Sequence, residues 1–185
     1  MRKTFTMTRR TLFAALLAIS CTTDLLAVEP ATAAEQAHSE IWRRFIDKYG
    51  IMIDFADMDG KVSLPTPEEL RDGKPNALGW WAPIENGAMF NGLYMDAAVN
   101  RWRHTKADAD AAKARRLMEG LLQLNSISDV KGFVARGVST DGWSHYPMGS
   151  NDQTLPWFVE RSFASALGPI VGNVDGAHPY RHRAF

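Results

Sequence analysis

Apolar residues recur at helical spacing in three stretches of the chain. Ile41, Trp42, Phe45, Ile46 and Tyr49 share one face and predict a helix over 35–49, with Gly50 at the C′ position. A clearer period predicts a helix over 86–103. Met89, Leu93 and Ala97 form one row there, and Phe90, Tyr94, Ala98 and Trp102 form the next. Thr105-Lys106-Ala107-Asp108 reads as a capping box for a helix over 106–124, whose apolar positions are Ala107, Ala111, Ala114, Met118, Leu121 and Leu122. The short turn between these two helices predicts an αα-hairpin.

Elsewhere the period fails. Pro65, Pro67, Pro75 and Pro83, with Gly60, Gly73 and Gly79, break 51–84 into loop and short extended pieces, a long connection of the kind that often carries function. Residues 132–138 read as a short extended segment, followed by a polar, aromatic loop to about 153. A further helix is expected near Asp152 or Thr154, with Pro156 tolerated in its first turn. Residues 164–185 show no period, and Tyr180-Arg181-His182-Arg183 reads as a solvated tail.

The N-terminus follows a different grammar. Arg2, Lys3, Arg9 and Arg10 precede the apolar run Leu12–Ile19, and Ala31 and Ala33 form an A-x-A site, so 1–33 reads as an export signal cleaved after Ala33. The apolar run is too short for a membrane span, and Asp24 interrupts its extension. Thr8-Arg9-Arg10-Thr11-Leu12-Phe13 resembles a twin-arginine signal, leaving the Sec and Tat routes both open. Ala18-Ile19-Ser20-Cys21 is a poor lipobox.

Composition becomes informative once that segment is set aside. The 185 residues carry 21 basic and 21 acidic side chains and one cysteine. Removal of 1–33 leaves a net charge of −2 and no cysteine, which suits an oxidising periplasm or exterior. The charge balance argues against nucleic acid as a partner. No membrane association is expected after signal removal. No metal or cofactor is expected either. Asp57-Met58-Asp59-Gly60 matches part of a calcium loop, but Phe55 and Thr66 occupy the first and twelfth ligand positions. His145, His178 and His182 lack zinc-site spacing, and P-loop, GxGxxG and GxSxG motifs are absent.

Polar and aromatic residues gather in two places. Asp141, His145, Tyr146, Asn151, Asp152 and Gln153 lie close together, and Glu85-Asn86 immediately precedes the clearest helix. Glycoside hydrolysis needs a pair of carboxyl groups, one as acid and one as base or nucleophile. A histidine or tyrosine beside a carboxylate suits proton abstraction by a polysaccharide lyase. Trp80, Trp81 and Trp143 stand in Gly/Pro-rich or polar surroundings, where indole faces can stack on sugar rings. The same residues have structural roles open to them, since Asn86 and Asp152 are ordinary helix caps and the tryptophans can plug the rim of a core.

Gly73–Gly87, Phe90-Asn91-Gly92-Leu93-Tyr94, Gly132–Gly137 and the Asp141…His145-Tyr146…Ser150-Asn151-Asp152-Gln153 stretch together carry a likeness. Over roughly 40–158 the chain resembles secreted bacterial (α/α) toroid proteins, the six-hairpin glycosidase and polysaccharide lyase superfamily. The resemblance implies a mainly α fold, a partial toroid of helical hairpins with long loops. It also implies a saccharide cleft built from loops at one end of the barrel. Glu85, Asp141, His145 and Asp152 would be the catalytic candidates there, and Trp80, Trp81, Asn86, Trp143, Tyr146 and Gln153 the substrate-binding ones.

The expected organisation is a signal at 1–33, a helical domain at 34–163 and an irregular tail at 164–185. A six-hairpin toroid is longer than this chain, which supplies about two hairpins, so a truncated and inactive member is one expectation. Such a fragment would leave apolar helix faces uncovered and open to self-association. Two functions stay open. One is an exported hydrolase or lyase acting on a poly- or oligosaccharide; the other is a non-catalytic helical binding or structural domain.

Overall fold

The computed structural model describes residues 29–72 and 83–156. Their helices are α1 (Pro30–Arg44), α2 (Pro67–Arg71), α3 (Gly87–Thr105) and α4 (Asp108–Ser126), and the backbone is helical again at 151–156. The architecture is mainly α, with no strand among the described residues. The chain separates into Met1–Glu40 and Ile41–Phe185. Ala31 and Ala33 of the expected export signal lie in α1, whereas 1–28 and the tail 164–185 fall outside the described residues.

The first periodic stretch stops being helical at Arg44, short of the expected Tyr49. Asp47 is the cause. Its Oδ1 accepts the N–H groups of Tyr49 and Ile51, both at 2.8 Å, offering the backbone a turn in place of another helical repeat. The turn is closed by Asp47 N–H to the Ile51 carbonyl (2.9 Å) and Ile53 N–H to the Phe45 carbonyl (2.8 Å), around an antiparallel bridge between Ile46 and Met52. Gly50 therefore caps no helix. It sits in this turn at φ +80° against the Arg116 carbonyl of α4, where a side chain would be both strained and obstructed.

The 51–84 connection holds α2, which the proline count conceals. Thr66 and Glu69 form a reciprocal capping box, with Glu69 N–H to Thr66 Oγ1 at 3.2 Å and Thr66 N–H to Glu69 Oε2 at 2.8 Å, and Pro67 sits in the first turn. Residues 132–138, expected as extended, form no strand. Ala135 N–H instead bonds the Leu124 carbonyl at the end of α4 (2.9 Å), and Val134, Ala135 and Val138 join the core.

α3 and α4 pack against each other as the predicted hairpin. The capping box expected at its turn is absent: Ala107 is the N-cap of α4 and makes no side-chain cap bond. Thr105 is still the last residue of α3 and donates instead to Asp110 Oδ2 at 2.6 Å, while Arg101 Nε bonds Asp110 Oδ1 at 2.9 Å. The inner face of α4 follows its period through Ala114, Met118 and Leu121, extended by Leu117 and Leu124. α3 turns a different face inward from the one its largest residues suggest. Ala88, Asn91, Met95, Ala98 and Val99 are buried, whereas Leu93 is 65% exposed.

Asn91 explains that choice. It is fully buried, and its Oδ1 accepts Met52 N–H at 2.6 Å. Its Nδ2 donates to the Gly50 carbonyl at 2.8 Å and the Leu117 carbonyl at 3.2 Å. One amide thus ties the 47–53 turn to both helices of the hairpin. Asn91→Ala strands the partly buried Met52 N–H and the Gly50 carbonyl, and is expected to lower unfolding free energy by about 2–4 kcal/mol in urea titrations.

Asp47 makes stability depend on pH. Burial pushes its carboxyl from 3.8 up to about 6, against the opposing pull of the Ile51 and Tyr49 N–H bonds and the nearby Arg116 charge. The folded state therefore holds this proton more tightly than the unfolded chain. The associated stabilisation is complete below about pH 3.8 and is lost as pH rises through about 6, an effect on the order of 3 kcal/mol. Asp47→Asn keeps an acceptor for Tyr49 and Ile51. It is expected to flatten the fall in the urea midpoint between pH 4 and pH 7 relative to the parent protein.

Candidate functional site

The two sequence clusters meet at the start of α3. Asp54, in the stretch that follows the 47–53 turn, accepts the N–H groups of Glu85 (2.8 Å) and Asn86 (2.9 Å) on Oδ2 and Asn86 Nδ2 on Oδ1 at 2.5 Å. It therefore satisfies donors at the N-terminus of α3 from a distant segment. Asn86 is the N-cap residue yet makes no side-chain cap bond. Its Oδ1 instead accepts Gln153 Nε2 at 3.1 Å, and Gln153 Oε1 accepts Met89 N–H at 3.2 Å. Gln153 is fully buried. Gly92 lets the 151–156 helical segment lie this close, because Pro156 occupies the space its Cβ would need.

Arg136 joins the second cluster to the first. One of its terminal nitrogens donates to the Glu85 carbonyl and the other to Ser150 Oγ, both at 3.1 Å, and Ser150 in turn donates to Asp152. Both carboxyl groups feel the Arg136 charge, and they are displaced in opposite directions. Burial and the Asp54 charge raise the Glu85 carboxyl above the usual range, with Arg136 opposing. The Ser150 hydroxyl bond, followed by the Arg136 charge, holds the exposed Asp152 below it despite some burial.

Among the described residues, three buried polar atoms in this region have no hydrogen-bond partner: Glu85 Oε1, Arg136 Nε and the Tyr146 hydroxyl. Tyr146 is buried on Ile84, with Leu64 and Leu70 packed around the pair. Burial and the Glu85 charge raise its phenol, which keeps it a proton donor. Unsatisfied buried groups are costly, and their concentration here is what a polar ligand would relieve.

The remaining described candidates have other partners. Asp141 is committed to its own loop: Oδ1 accepts Ser139 Oγ (2.6 Å) and the Trp143 and Ser144 N–H groups (both 2.8 Å), and Oδ2 accepts Ser144 Oγ (2.8 Å). Burial acts to raise its carboxyl, but these bonds outweigh it and hold it low. His145 Nδ1 lies 3.0 Å from the Trp143 carbonyl, and its ring is tilted against Phe133 with centroids 5.6 Å apart. Trp143 packs on the core. Trp80 and Trp81 lie outside the described residues. Sequence reasoning missed Asp54, Arg136 and Ser150. Arg136 stands inside the quoted Gly132–Gly137 stretch, while Asp54 carries no local signal at all.

Among the described residues no three His, Cys, Asp or Glu side chains are placed to hold a metal ion, and no helix is long and apolar enough to cross a membrane. Comparison with protein-family models, curated proteins and solved structures finds no match to this chain.

Removing the Asp54 charge should ease the ionisation of Glu85. In Asp54→Asn the Glu85 carboxyl is expected to titrate closer to the ordinary glutamate value, read from side-chain carboxyl chemical shifts. An unchanged midpoint would show that burial alone sets it.

Proposed function

We propose that this chain is an exported carbohydrate-active protein of the glycoside hydrolase type, with its helical hairpin forming part of an (α/α) toroid. The supporting observation is that Arg136 bonds both the Glu85 carbonyl and Ser150, the donor to Asp152, while the Glu85 and Asp152 carboxyl groups are displaced in opposite directions. Carboxyl groups whose environments separate their pKa values are suited to acid and base roles. Glu85, protonated more readily, would deliver its proton to the leaving glycosidic oxygen as the C–O bond breaks. Asp152, held ionised, would assist the water or attack the sugar carbon itself. Tyr146, kept protonated, serves as a hydrogen-bond donor rather than as the base that a lyase needs.

The non-catalytic reading draws support from Asp141, Asn86 and Gln153, whose polar atoms hold loops and helix ends together. A screen of the purified protein on neutral, amino and uronic polysaccharides separates the two. New reducing ends are expected, without the ultraviolet absorbance of unsaturated lyase products. Glu85→Gln should lower kcat by roughly 10²–10⁴-fold while leaving the fold intact. A cooperatively folded sample that is silent on every polymer favours the binding or structural domain.

A further inference from the structure

A second feature of the same region has no part in the acid–base pair. Phe55, Asp57, Ser63, Leu64, Pro65, Glu69 and Pro83 line an open cleft of about 280 Å³, at the small end of ligand pockets and suited to a single ring rather than an oligomer. It adjoins the site through two of its walls. The Pro83 carbonyl accepts Asp54 N–H at 2.9 Å, and Leu64 packs against Ile84 and Tyr146.

The lining has one sign of charge. Asp57 and Glu69 are both in it, and among the described residues no basic side chain is. Glu69 spends only Oε2 inside the protein, on Thr66 N–H. Lys61, close in sequence, is paired with Asp59 at 2.7 Å. Phe55 is 42% exposed and is the one aromatic ring among the exposed large apolar side chains of the described residues. An aromatic face and two carboxylates around a ring-sized space suit a cation carried on a ring, and repel an anionic sugar. With no third metal-type ligand among the described residues, the lining fits an organic cation better than a bare metal ion.

We propose that this cleft is a subsite for an amino sugar, with its ammonium group held by Asp57 and Glu69 and its ring on Phe55. The assignment rests on the carbohydrate reading above and narrows it to cationic rather than uronic saccharides.

Titration of the protein with glucosamine, glucose and glucuronate, followed by amide chemical shifts, tests it. Perturbations are expected at Phe55, Asp57, Ser63, Leu64 and Glu69, strongest for glucosamine and weakest for glucuronate. The preference for the amine should disappear in high salt. Asp57→Asn should weaken glucosamine at least about threefold and leave glucose unchanged, whereas Asp59→Asn, outside the cleft, should alter neither. The proposal is overturned by glucuronate binding as well as glucosamine, by no perturbation from any of the three, or by equal losses in Asp57→Asn and Asp59→Asn. Its failure is distinguishable from that of the hydrolase reading. An inert protein that still binds glucosamine keeps the cleft, and an active protein with a silent cleft loses the cleft alone.

Discussion

Asn91 sits fully buried on α3 with its amide oxygen on the Met52 N–H and its amide nitrogen on the Gly50 and Leu117 carbonyls. A buried amide with partners is specific in a way that a leucine is not, because its bonds have direction and length. The 47–53 turn must lie where those bonds reach it, and the backbones must come close. Gly120 supplies the space, since a Cβ there would stand 2.5 Å from the Gly50 carbonyl oxygen. The hairpin alone would bury an apolar seam in several registers. The amide selects one.

The polar site inherits its geometry from that arrangement. Asp54 follows the turn that Asn91 holds, and it bonds Glu85 and the N-cap Asn86 just ahead of the helix on which Asn91 stands. Gln153 and Ser150 come from the 150–153 segment, and Arg136 from the segment hydrogen-bonded to the end of α4. The acidic candidates meet two fates. Asp141 is surrounded by donors and organises a loop. Glu85 is held by its backbone and keeps one buried oxygen without a partner among the described residues. That contrast separates a residue that builds the structure from one left available for chemistry.

The hairpin was legible because burial of α3 and α4 imposes a 3.6-residue period on two adjacent stretches. Where reading failed, polar side chains had displaced the rule. Asp47 ended α1 before Tyr49 by capturing the Tyr49 and Ile51 N–H groups. Asn91 drew its own face of α3 inward and left Leu93 outside, although Leu93 is the more hydrophobic residue. Thr105 gave its hydroxyl to Asp110 rather than to a cap. Each depends on a partner whose position only the folded chain supplies.

Local pattern by itself determined the helical class, the αα-hairpin and the two polar segments worth attention, because hydrophobic period and turn chemistry act over a few residues. It also marked Glu85 and Asp152 as carboxyl groups of interest. The tertiary structure decided that Arg136 links the Glu85 main chain to Ser150 beside Asp152, that Asp54 supports the start of α3, and that Asp141 serves its own loop. Those are meetings of segments distant in sequence. The electrostatic character of a carboxyl group depends on what folding brings beside it and how much water folding removes.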